Sequence, residues 1–415
     1  MRPLAALSLL LIVTVALTTS GCETADQVLG AAKRVTSSRT GQTVIDLAEG
    51  KDPALIAKQH LNQYARDPEA LLRDLRAAQK DFETLLAVLG VHVGKIWGKK
   101  EIKLPEQKKY VKYTQSYKSR AIVDFDSSEI MVETLDDQDP QRSLKNAVIT
   151  TILTPQDPRA VDLFSDKEIV LTSDKEPYLF GLVLNQQNQP VRTPAEAETF
   201  AVYLLEKKSS TRVVDQEGTQ KTAHSVTIPM VSNLAMKQAD KYRPLVHQFA
   251  QQYHISPSLV FAIIRTESNF NPYAVSSAPA YGLMQLVPTS GGRDAYRKAK
   301  GQDVAPSRDY LFDPANNIEL GTAYLNVLMF NQLESVAHTV SREYCVIAAY
   351  NTGAGNVFRT FSRDRVAAVN QINSLHPAGV YDQLHQHLPY QETRSYLEKV
   401  MTFRKAFISV GSPSN

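Results

Sequence analysis

Hydrophobic and polar positions alternate with two different periods along this chain. Before Met230, apolar residues recur at every second position, as in Ala121–Phe125 and Ile130–Thr134, and this alternation predicts a β-hairpin. A second hairpin is predicted around the Glu217-Gly218 turn. After Met230 the apolar spacing changes to three and four residues, which is the spacing of one helix face. The pattern therefore predicts a multidomain chain, with an α+β domain that contains an antiparallel sheet, followed by an all-α domain.

Two helix starts are marked by a capping residue that precedes a proline. Thr193-Pro194-Ala195-Glu196 is a capping box with proline at the first helical position, and it predicts a helix through Leu205. Ser256 is likewise a hydroxyl residue directly before a proline, Pro257, so its hydroxyl is expected to cap the helix that follows.

A longer helix is predicted to begin at Asp67-Pro68 and to end at Gly90 and Gly94. Its apolar residues alternate steps of four and three, which gives a stripe that is expected to pack in a core. Glycine and proline separate five further predicted helices: Ala235–Tyr253, Ser256–Ser268, Asp313–Leu333, Arg342–Asn351 and Glu392–Phe407.

Residues 1–21 have the pattern of a leader segment. Arg2 gives a short positive region, and the apolar run Leu4–Leu17 is short for a membrane span. The run ends in Thr19-Ser20-Gly21-Cys22, which resembles a bacterial lipoprotein signal and implies a lipid on Cys22. An ordinary secretory signal remains the alternative. Residues 22–47 are polar and lack aromatic residues, so a tether is expected.

Composition narrows the classes of function. The 415 residues carry a formal net charge of +3, too small to indicate a nucleic-acid partner but compatible with an acidic polymer. If Cys22 carries lipid, the second cysteine, Cys345, has no disulfide partner and is expected to lie in the core. No phosphate loop or metal-binding motif occurs in the sequence, so no cofactor and no metal are expected.

Glu267 shares a helix face with the apolar residues Val260, Ile263 and Ile264. Burial and the negative end of the helix dipole both disfavour a charged carboxyl there, so the pKa of Glu267 should rise. A carboxyl that stays protonated near neutral pH is what a general acid needs. A lone glutamate of this kind is more often a surface residue at a frayed helix end, and that interpretation is the alternative.

Ordered sequence blocks favour the catalytic interpretation. They are Glu267-Ser268-Asn269-Phe270-Asn271-Pro272, Ser276, Gly282–Gln285, the Asp313–Leu325 helix, Ala349–Gly353, and Pro389–Thr393 with Tyr396. Across residues 235–410 they resemble the catalytic core of the lytic transglycosylases with a goose-lysozyme-like fold. One loop, Ala278-Pro279-Ala280, departs from this family, which usually has glycine there.

The resemblance implies a reaction on peptidoglycan glycan strands. Glu267 would protonate the oxygen between N-acetylmuramic acid and N-acetylglucosamine, then accept the proton of the muramoyl C6 hydroxyl, which leaves a 1,6-anhydro end. Tyr396 would hydrogen-bond the catalytic carboxyl, and Ser276 would contact the sugar or orient the C6 hydroxyl. The implied substrate-binding residues are Ser268, Tyr281, Met284, Gln285, Tyr350 and Asn351. Core packing is an equal alternative for Met284, and Ser268 is expected rather to hold local structure.

Residues 96–100 and 110–114 resemble the amino-terminal domain of the membrane-bound lytic murein transglycosylase C family. The expected organisation is a leader at 1–21, a tether at 22–47, an amino-terminal α+β domain at 48–232 and a lysozyme-like SLT catalytic domain at 233–411. The leader, with Glu23 after Cys22, favours a lipid anchor on the periplasmic side of the outer membrane. Nothing in the sequence identifies a protein partner.

Several alternatives stay open at the level of sequence. The function could be that of a lytic transglycosylase, of a hydrolytic goose-type lysozyme, or of a catalytically idle wall-binding lipoprotein. The lysines and tyrosines between Lys95 and Tyr117 could bind sugars, but strands with one wet face give the same pattern.

A glycosidase ordinarily needs a second carboxylate. By nearness in sequence alone, the candidates are Asp294, Asp303, Asp309 and Asp313.

Overall fold

The computed structural model describes residues 85–171, 175–276 and 280–408. All of them belong to one compact unit, Pro68–Asn415. The predicted leader, the lipidation site at Cys22, the tether and the start of the first long helix lie outside the described residues, as does most of the loop at 278–280. In the described ranges, no helix is both long and apolar enough to cross a membrane.

A five-stranded antiparallel sheet forms the centre of the amino-terminal part. Its strands are β1 (Lys109–Thr114), β2 (Ser119–Asp124), β3 (Glu129–Thr134), β4 (Ser209–Gln216) and β5 (Thr219–Pro229). Their order across the sheet is β1-β2-β3-β5-β4. Both predicted hairpins are confirmed, because β2 pairs with β3 and β4 pairs with β5, each antiparallel.

Helices cover both faces of this sheet. They are α1 (residues 85–97), α2 (Pro140–Ile152) and α3 (Pro194–Lys208). On one face, Val123 and Val226 belong to the main hydrophobic core together with Leu144 of α2 and Phe200 of α3. On the other face, a smaller core forms from α1 and from residues in the strands or directly after β3: Leu89, Val93, Trp97, Val111, Tyr113, Leu135, Val214 and Ala223. The capping box of α3 is confirmed, with Thr193 and Glu196 bonded reciprocally.

The first long helix does not end where the sequence predicted. α1 continues through Gly90 and Gly94 to residue 97, so that part of the prediction is wrong. Burial of the α1 stripe against the sheet outweighs the helix cost of two glycines, which is about 1 kcal/mol each. The helix stops at Gly98, whose φ of 86° suits glycine. An added Cβ there would lie 2.5 Å from the carbonyl oxygen of Asp215.

The lysine- and tyrosine-rich run does not form a strand with one wet face. Tyr110, Lys112 and Tyr113 of β1 are all buried, so the run is neither a wet surface nor an exposed sugar platform along this strand. The ammonium of Lys112 donates to the carbonyls of Asp162 and Ser165, at 2.8 and 2.7 Å. Burial lowers the pKa of Lys112 to about 8, because it disfavours the charged ammonium. The two hydrogen bonds offset part of the cost of burying this charge.

The second part of the chain is all helical, as predicted. Its helices are α4 (Leu234–Gln252), α5 (Pro257–Glu267), α6 (Gly291–Lys300), α7 (Arg308–Phe312), α8 (Pro314–Val327), α9 (Thr339–Thr352), α10 (Ala354–Phe361), α11 (Arg365–Ser374), α12 (Pro377–His387) and α13 (Gln391–Ala406). A π-helical turn, Leu328–Gln332, extends α8. Ser256 occupies the N-cap position of α5 but makes no capping hydrogen bond there, so that detail of the prediction is wrong. Its hydroxyl instead lies 2.9 Å from the hydroxyl of Ser258.

α5 is the central helix of this part. Nearly all of its side chains are buried, and the exceptions are Pro257 and Arg265, of which Arg265 lies over the ring of Phe403 of α13. Cys345 of α9 is fully buried, which confirms its prediction as a core residue. The last residue of this buried helix, Glu267, contacts Tyr396 of α13, and the candidate site begins there.

Candidate functional site

Glu267 is a buried carboxyl at the end of α5. Its residue is 9% exposed, and burial raises the pKa of Glu267 to about 8. Burial has this effect because removing water penalises the charged carboxylate more than the neutral acid. The predicted direction of the shift is therefore confirmed, and a pKa of about 8 corresponds to a carboxyl that is mostly protonated at neutral pH.

Tyr396 on α13 provides a direct partner for this carboxyl. Its hydroxyl donates a hydrogen bond to Oε1 of Glu267 at 2.8 Å. The bond favours the charged form of Glu267 and so lowers its pKa, in opposition to burial. Burial raises the pKa of Tyr396 well above its ordinary value, so the phenol keeps its proton to donate.

Two charged residues that the sequence analysis did not single out act on Glu267. Glu392, an exposed residue in the first turn of α13, raises the pKa of Glu267, and Lys108, just before β1, lowers it. Lys108 also forms an ion pair with Asp126 at 3.4 Å. Glu392 lies within a sequence block that the resemblance covers. Nothing in the sequence places Lys108 near Glu267, because only the packing of the sheet against the helices brings the two residues together.

The segment Gly282–Gln285 forms a tight turn next to α8. Gly282 has a φ of 75°, and an added Cβ would lie 2.5 Å from both the Leu311 carbonyl oxygen and the Asn317 amide nitrogen. The Asn317 amide holds this turn, because its Oδ1 accepts from the backbone N–H of Met284 at 2.7 Å. Met284 is fully buried, and its side chain packs against Gly321 of α8. Its position is that of a core residue.

Gln285 has an unusual environment for a buried amide. Its Nε2 donates to the carbonyls of Ala274 and Gly282, at 3.1 and 2.9 Å. Its Oε1 is buried and finds no hydrogen-bond partner in the described part of the chain. A buried carbonyl oxygen of this kind carries a desolvation cost of about 1–3 kcal/mol unless something donates to it. Its backbone is also in the left-handed region, with a φ of 48°.

Two aromatic residues predicted from the resemblance also line this region. The hydroxyl of Tyr350 on α9 donates to the Met284 carbonyl at 2.8 Å. Burial raises the pKa of Tyr350 well above its ordinary value, and the negative charge that Glu267 carries when ionised adds to this effect. Tyr281 is buried with its ring edge-on to Phe312. Tyr350 therefore joins the Gly282–Gln285 turn to the surroundings of Glu267.

The remaining predicted residues occupy distinct positions. Ser268 is fully buried, and its hydroxyl hydrogen-bonds the carbonyls of Ile264 and Leu283, a structural arrangement. Asn351 accepts from the hydroxyl of Thr393 at 2.7 Å, which ties α9 to α13. Ser276 is half-buried at the edge of the undescribed 277–279 segment, and its hydroxyl accepts from the backbone N–H of Ala280 at 3.3 Å. Their roles toward a substrate stay predictions.

The four aspartates considered as second carboxylates are engaged elsewhere. Asp294 pairs with Arg297, Asp303 with Arg293, Asp309 with Arg308 and Asp313 with Arg159. None of them is among the groups that shift the pKa of Glu267, whereas Glu392 is. Among the described residues, no group of histidine, cysteine, aspartate or glutamate side chains is arranged to hold a metal ion.

Comparison with known proteins gives matches along most of the chain. The family model described as the N-terminal domain of membrane-bound lytic murein transglycosylase C matches residues 67–241, and that of the transglycosylase SLT domain matches residues 244–373. The membrane-bound lytic murein transglycosylase C of Yersinia enterocolitica is 43% identical over 346 residues, which are 83% of this chain and 94% of the relative. The protein of that name from Klebsiella pneumoniae is 44% identical over 326 residues, 79% of this chain and 89% of the relative.

Solved structures match over a smaller region. An inactive mutant of the lytic transglycosylase Slt from Pseudomonas aeruginosa is 28% identical, with a TM-score of 0.33. The match covers 42% of this chain and 25% of that much longer one.

Proposed function

The chain belongs to the membrane-bound lytic murein transglycosylase C family, and we propose that Glu267 is the single acid and base of its reaction on peptidoglycan. As a member of this family it is a lytic murein transglycosylase, an enzyme that cleaves the glycan strands of the cell wall. The observation that carries the proposal is the buried Glu267 carboxyl, with a pKa of about 8 and the hydroxyl of Tyr396 as its partner.

In the first step, protonated Glu267 donates its proton to the glycosidic oxygen between N-acetylmuramic acid and N-acetylglucosamine. The bond from muramoyl C1 to that oxygen breaks, and positive charge develops on the muramoyl ring. Because the raised pKa keeps the proton on Glu267 at neutral pH, the acid is ready before the substrate binds.

In the second step, the same carboxyl acts as a base. The muramoyl C6 hydroxyl bonds to C1 of its own sugar, and its proton passes to Glu267, which restores the starting acid. The products are a 1,6-anhydromuramoyl end and a free N-acetylglucosamine end, and no water is consumed. Tyr396 stabilises the carboxylate between the two steps, since its hydrogen bond favours the charged form.

A single carboxylate suffices because the nucleophile belongs to the substrate. An intramolecular hydroxyl held near C1 has a high effective concentration, which lessens the need for a second carboxylate to activate it. The engagement of Asp294, Asp303 and Asp309 in ion pairs supports this view. Glu392 is the remaining carboxyl close enough to act on Glu267 in the described structure, and we assign it an electrostatic influence rather than a chemical step.

Substrate contacts are proposed for Ser276, Tyr281, Gln285, Tyr350 and Asn351. Gln285 has the strongest support, because its buried Oε1 lacks a partner in the described part of the chain and could accept a hydrogen bond from a sugar amide or hydroxyl. Such a contact would remove the cost of the unsatisfied oxygen when substrate binds. For Met284 and Ser268, full burial supports packing rather than direct contact.

The proposal also covers the domain organisation of the chain and its attachment to a membrane. We place the amino-terminal domain at 48–232 and the catalytic domain at 233–411, which the family matches at 67–241 and 244–373 support. The relatives are named membrane-bound. Lipidation of Cys22 would supply that attachment and would place the enzyme on the periplasmic side of the outer membrane. The reaction as written uses no cofactor.

Digestion of purified peptidoglycan in oxygen-18-labelled water tests the reaction. The full-length protein in mild detergent is expected to release anhydromuropeptides that contain no label, since no water enters the product. Hydrated muramoyl ends that carry one labelled oxygen would show a lysozyme and would contradict the proposal.

A further inference from the structure

The turn that follows Glu267 adopts an unfavourable backbone conformation. Asn269 and Phe270 are consecutive non-glycine residues in the left-handed region, with φ values of 47° and 64°. Such residues are uncommon, and for a bulky residue such as phenylalanine the conformation is a genuine outlier. A strained segment of this kind persists where surrounding contacts hold it in place.

Residues from the sheet of the amino-terminal part make the first of these contacts. The amide Nδ2 of Asn269 donates to the carbonyl of Phe125 at 2.7 Å and to the carboxylate of Asp126 at 3.1 Å. Phe125 and Asp126 lie in the turn between β2 and β3. Asp126 also pairs with Lys108, the residue whose charge lowers the pKa of Glu267. One short network therefore joins the sheet to the turn next to the acid.

Three further hydrogen bonds join this segment to residues that precede Met230. Tyr178 donates to the carbonyl of Phe270 at 3.0 Å, Asn271 donates to the carbonyl of Gln107 at 3.1 Å, and Tyr273 donates to the carbonyl of Pro155. The ring of Tyr273 also packs edge-on against those of Tyr110 and Tyr178. The segment after Glu267 is thus held on several sides by the amino-terminal part.

We infer that the amino-terminal domain positions the general acid, with Asn269 as the positioning residue that transmits the contact. Ser268 alone separates Asn269 from Glu267, so a shift of the turn moves the carboxyl relative to Tyr396 on α13. Reaction rates are sensitive to such movement, since a displacement of about 1 Å can cost about a hundredfold. The inference rests on the proposed catalytic role of Glu267 and gives the amino-terminal domain a part in catalysis.

Asn269→Gly tests this inference in the full-length protein. Glycine removes both hydrogen bonds and adopts the left-handed φ without strain, so the variant separates the loss of contact from a backbone clash. Asn188→Gly is the matched control, because Asn188 also has a left-handed φ, of 59°, and is exposed in the amino-terminal part. The measurements are kcat and KM for release of anhydromuropeptides, the pH dependence of kcat, and the midpoint of thermal unfolding.

For Asn269→Gly, kcat should fall about tenfold with KM within about twofold, because the variant disturbs the reacting group more than substrate binding. The alkaline limb of the pH profile should move to higher pH, because a carboxyl displaced from the Tyr396 hydroxyl loses the hydrogen bond that lowers its pKa. Asn188→Gly should change none of these quantities. A purely structural role of Asn269 would lower the unfolding midpoint without moving the pH limb, and that result would overturn the inference.

A single variant and a double variant that keeps the net charge provide a rescue test. Asn269→Asp cannot donate to Asp126 and repels it, whereas Asn269→Asp combined with Asp126→Asn reverses donor and acceptor and restores one hydrogen bond. The double variant should recover at least half of the kcat lost in Asn269→Asp; no recovery would count against the inference. Absence of anhydro products from the wild-type protein would refute the proposed function itself, which distinguishes the two failures.

Discussion

The hydroxyl of Tyr396 lies 2.8 Å from Oε1 of Glu267, although 129 positions separate the two residues in the chain. α5 brings the carboxyl and α13 brings the phenol, and both side chains are buried at the contact. Burial keeps the acid neutral, and the phenol favours the charged form that must exist between the two proton transfers. The pair therefore balances two demands that a single acid-base residue has to meet.

Glu267→Gln should reduce turnover by at least about a hundredfold, because the amide has no proton that it can transfer to the glycosidic oxygen. The substitution is nearly isosteric, so the midpoint of thermal unfolding should stay close to that of the wild type. Release of anhydromuropeptides from purified peptidoglycan measures the loss. A variant that retains wild-type turnover would show that another residue protonates the substrate.

Tyr396→Phe should slow the reaction without abolishing it. The variant loses one hydrogen bond to a charged group, worth about 1.5–3 kcal/mol, and kcat should fall about ten- to a hundredfold. Since that hydrogen bond lowers the pKa of Glu267, its loss should also move the alkaline limb of the pH profile to higher pH.

Tyr203→Phe serves as the matched control, since Tyr203 lies on α3 with its ring stacked on Phe200. It should leave both kcat and the pH profile unchanged. Equal effects in the two tyrosine variants, or no effect in Tyr396→Phe, would reduce Tyr396 to a packing residue.

The pH profile should respond in opposite directions to two charge removals. Activity depends on protonated Glu267, so it is present below the pKa of about 8 and is lost as the pH rises through that value. Lys108 lowers this pKa, so Lys108→Met should move the alkaline limb to higher pH. Glu392 raises the pKa, so Glu392→Gln should move the limb to lower pH while leaving activity at neutral pH substantial.

Two exposed residues of α13 supply controls for this pair of shifts. Lys399→Met and Glu398→Gln remove the same charges without altering a group that acts on Glu267, and neither should move the limb. Glu392→Gln also tests the single-carboxylate mechanism. Complete loss of activity in that variant would indicate that Glu392 takes part in the chemistry.

Gly282→Ala should destabilise the fold by more than a left-handed backbone alone requires. At Gly301, where φ is 71° and no atom lies within 4 Å of an added Cβ, alanine should cost about 1–2 kcal/mol. At Gly282 the added Cβ would also meet the Leu311 carbonyl and the Asn317 amide, which should add about 1–3 kcal/mol. Urea unfolding of both variants measures the difference, and equal losses of stability would refute the steric argument.

Sequence spacing predicted much of this fold because local patterns agree with the final packing. The alternation at 121–134 and the capping box at Thr193 both lead to the elements that form. The raised pKa of Glu267 also follows from its place on an apolar helix face. Gly90 does not end α1 as predicted, because the sheet surface that stabilises this helix comes from residues more distant in the chain.

The parts of the site that sequence did not predict depend on contacts between distant segments. Lys108 reaches the surroundings of Glu267 only through the packing of the sheet against the helices. Asn269 is part of a recognisable motif, but its contact with Phe125 joins residues 144 positions apart. The burial of Lys112 likewise depends on carbonyls 50 and 53 positions away, which no local spacing in the sequence indicates.

The central claim is that Glu267 carries a proton at neutral pH. Titration of the carboxyl carbon by NMR, in protein labelled with carbon-13 at glutamate, measures this directly, and the spectrum of Glu267→Gln identifies the signal. The account predicts a midpoint of about 8 for Glu267. A midpoint near 4.5, the ordinary value for a glutamate, would mean that the carboxyl is charged at neutral pH and would contradict its role as the general acid.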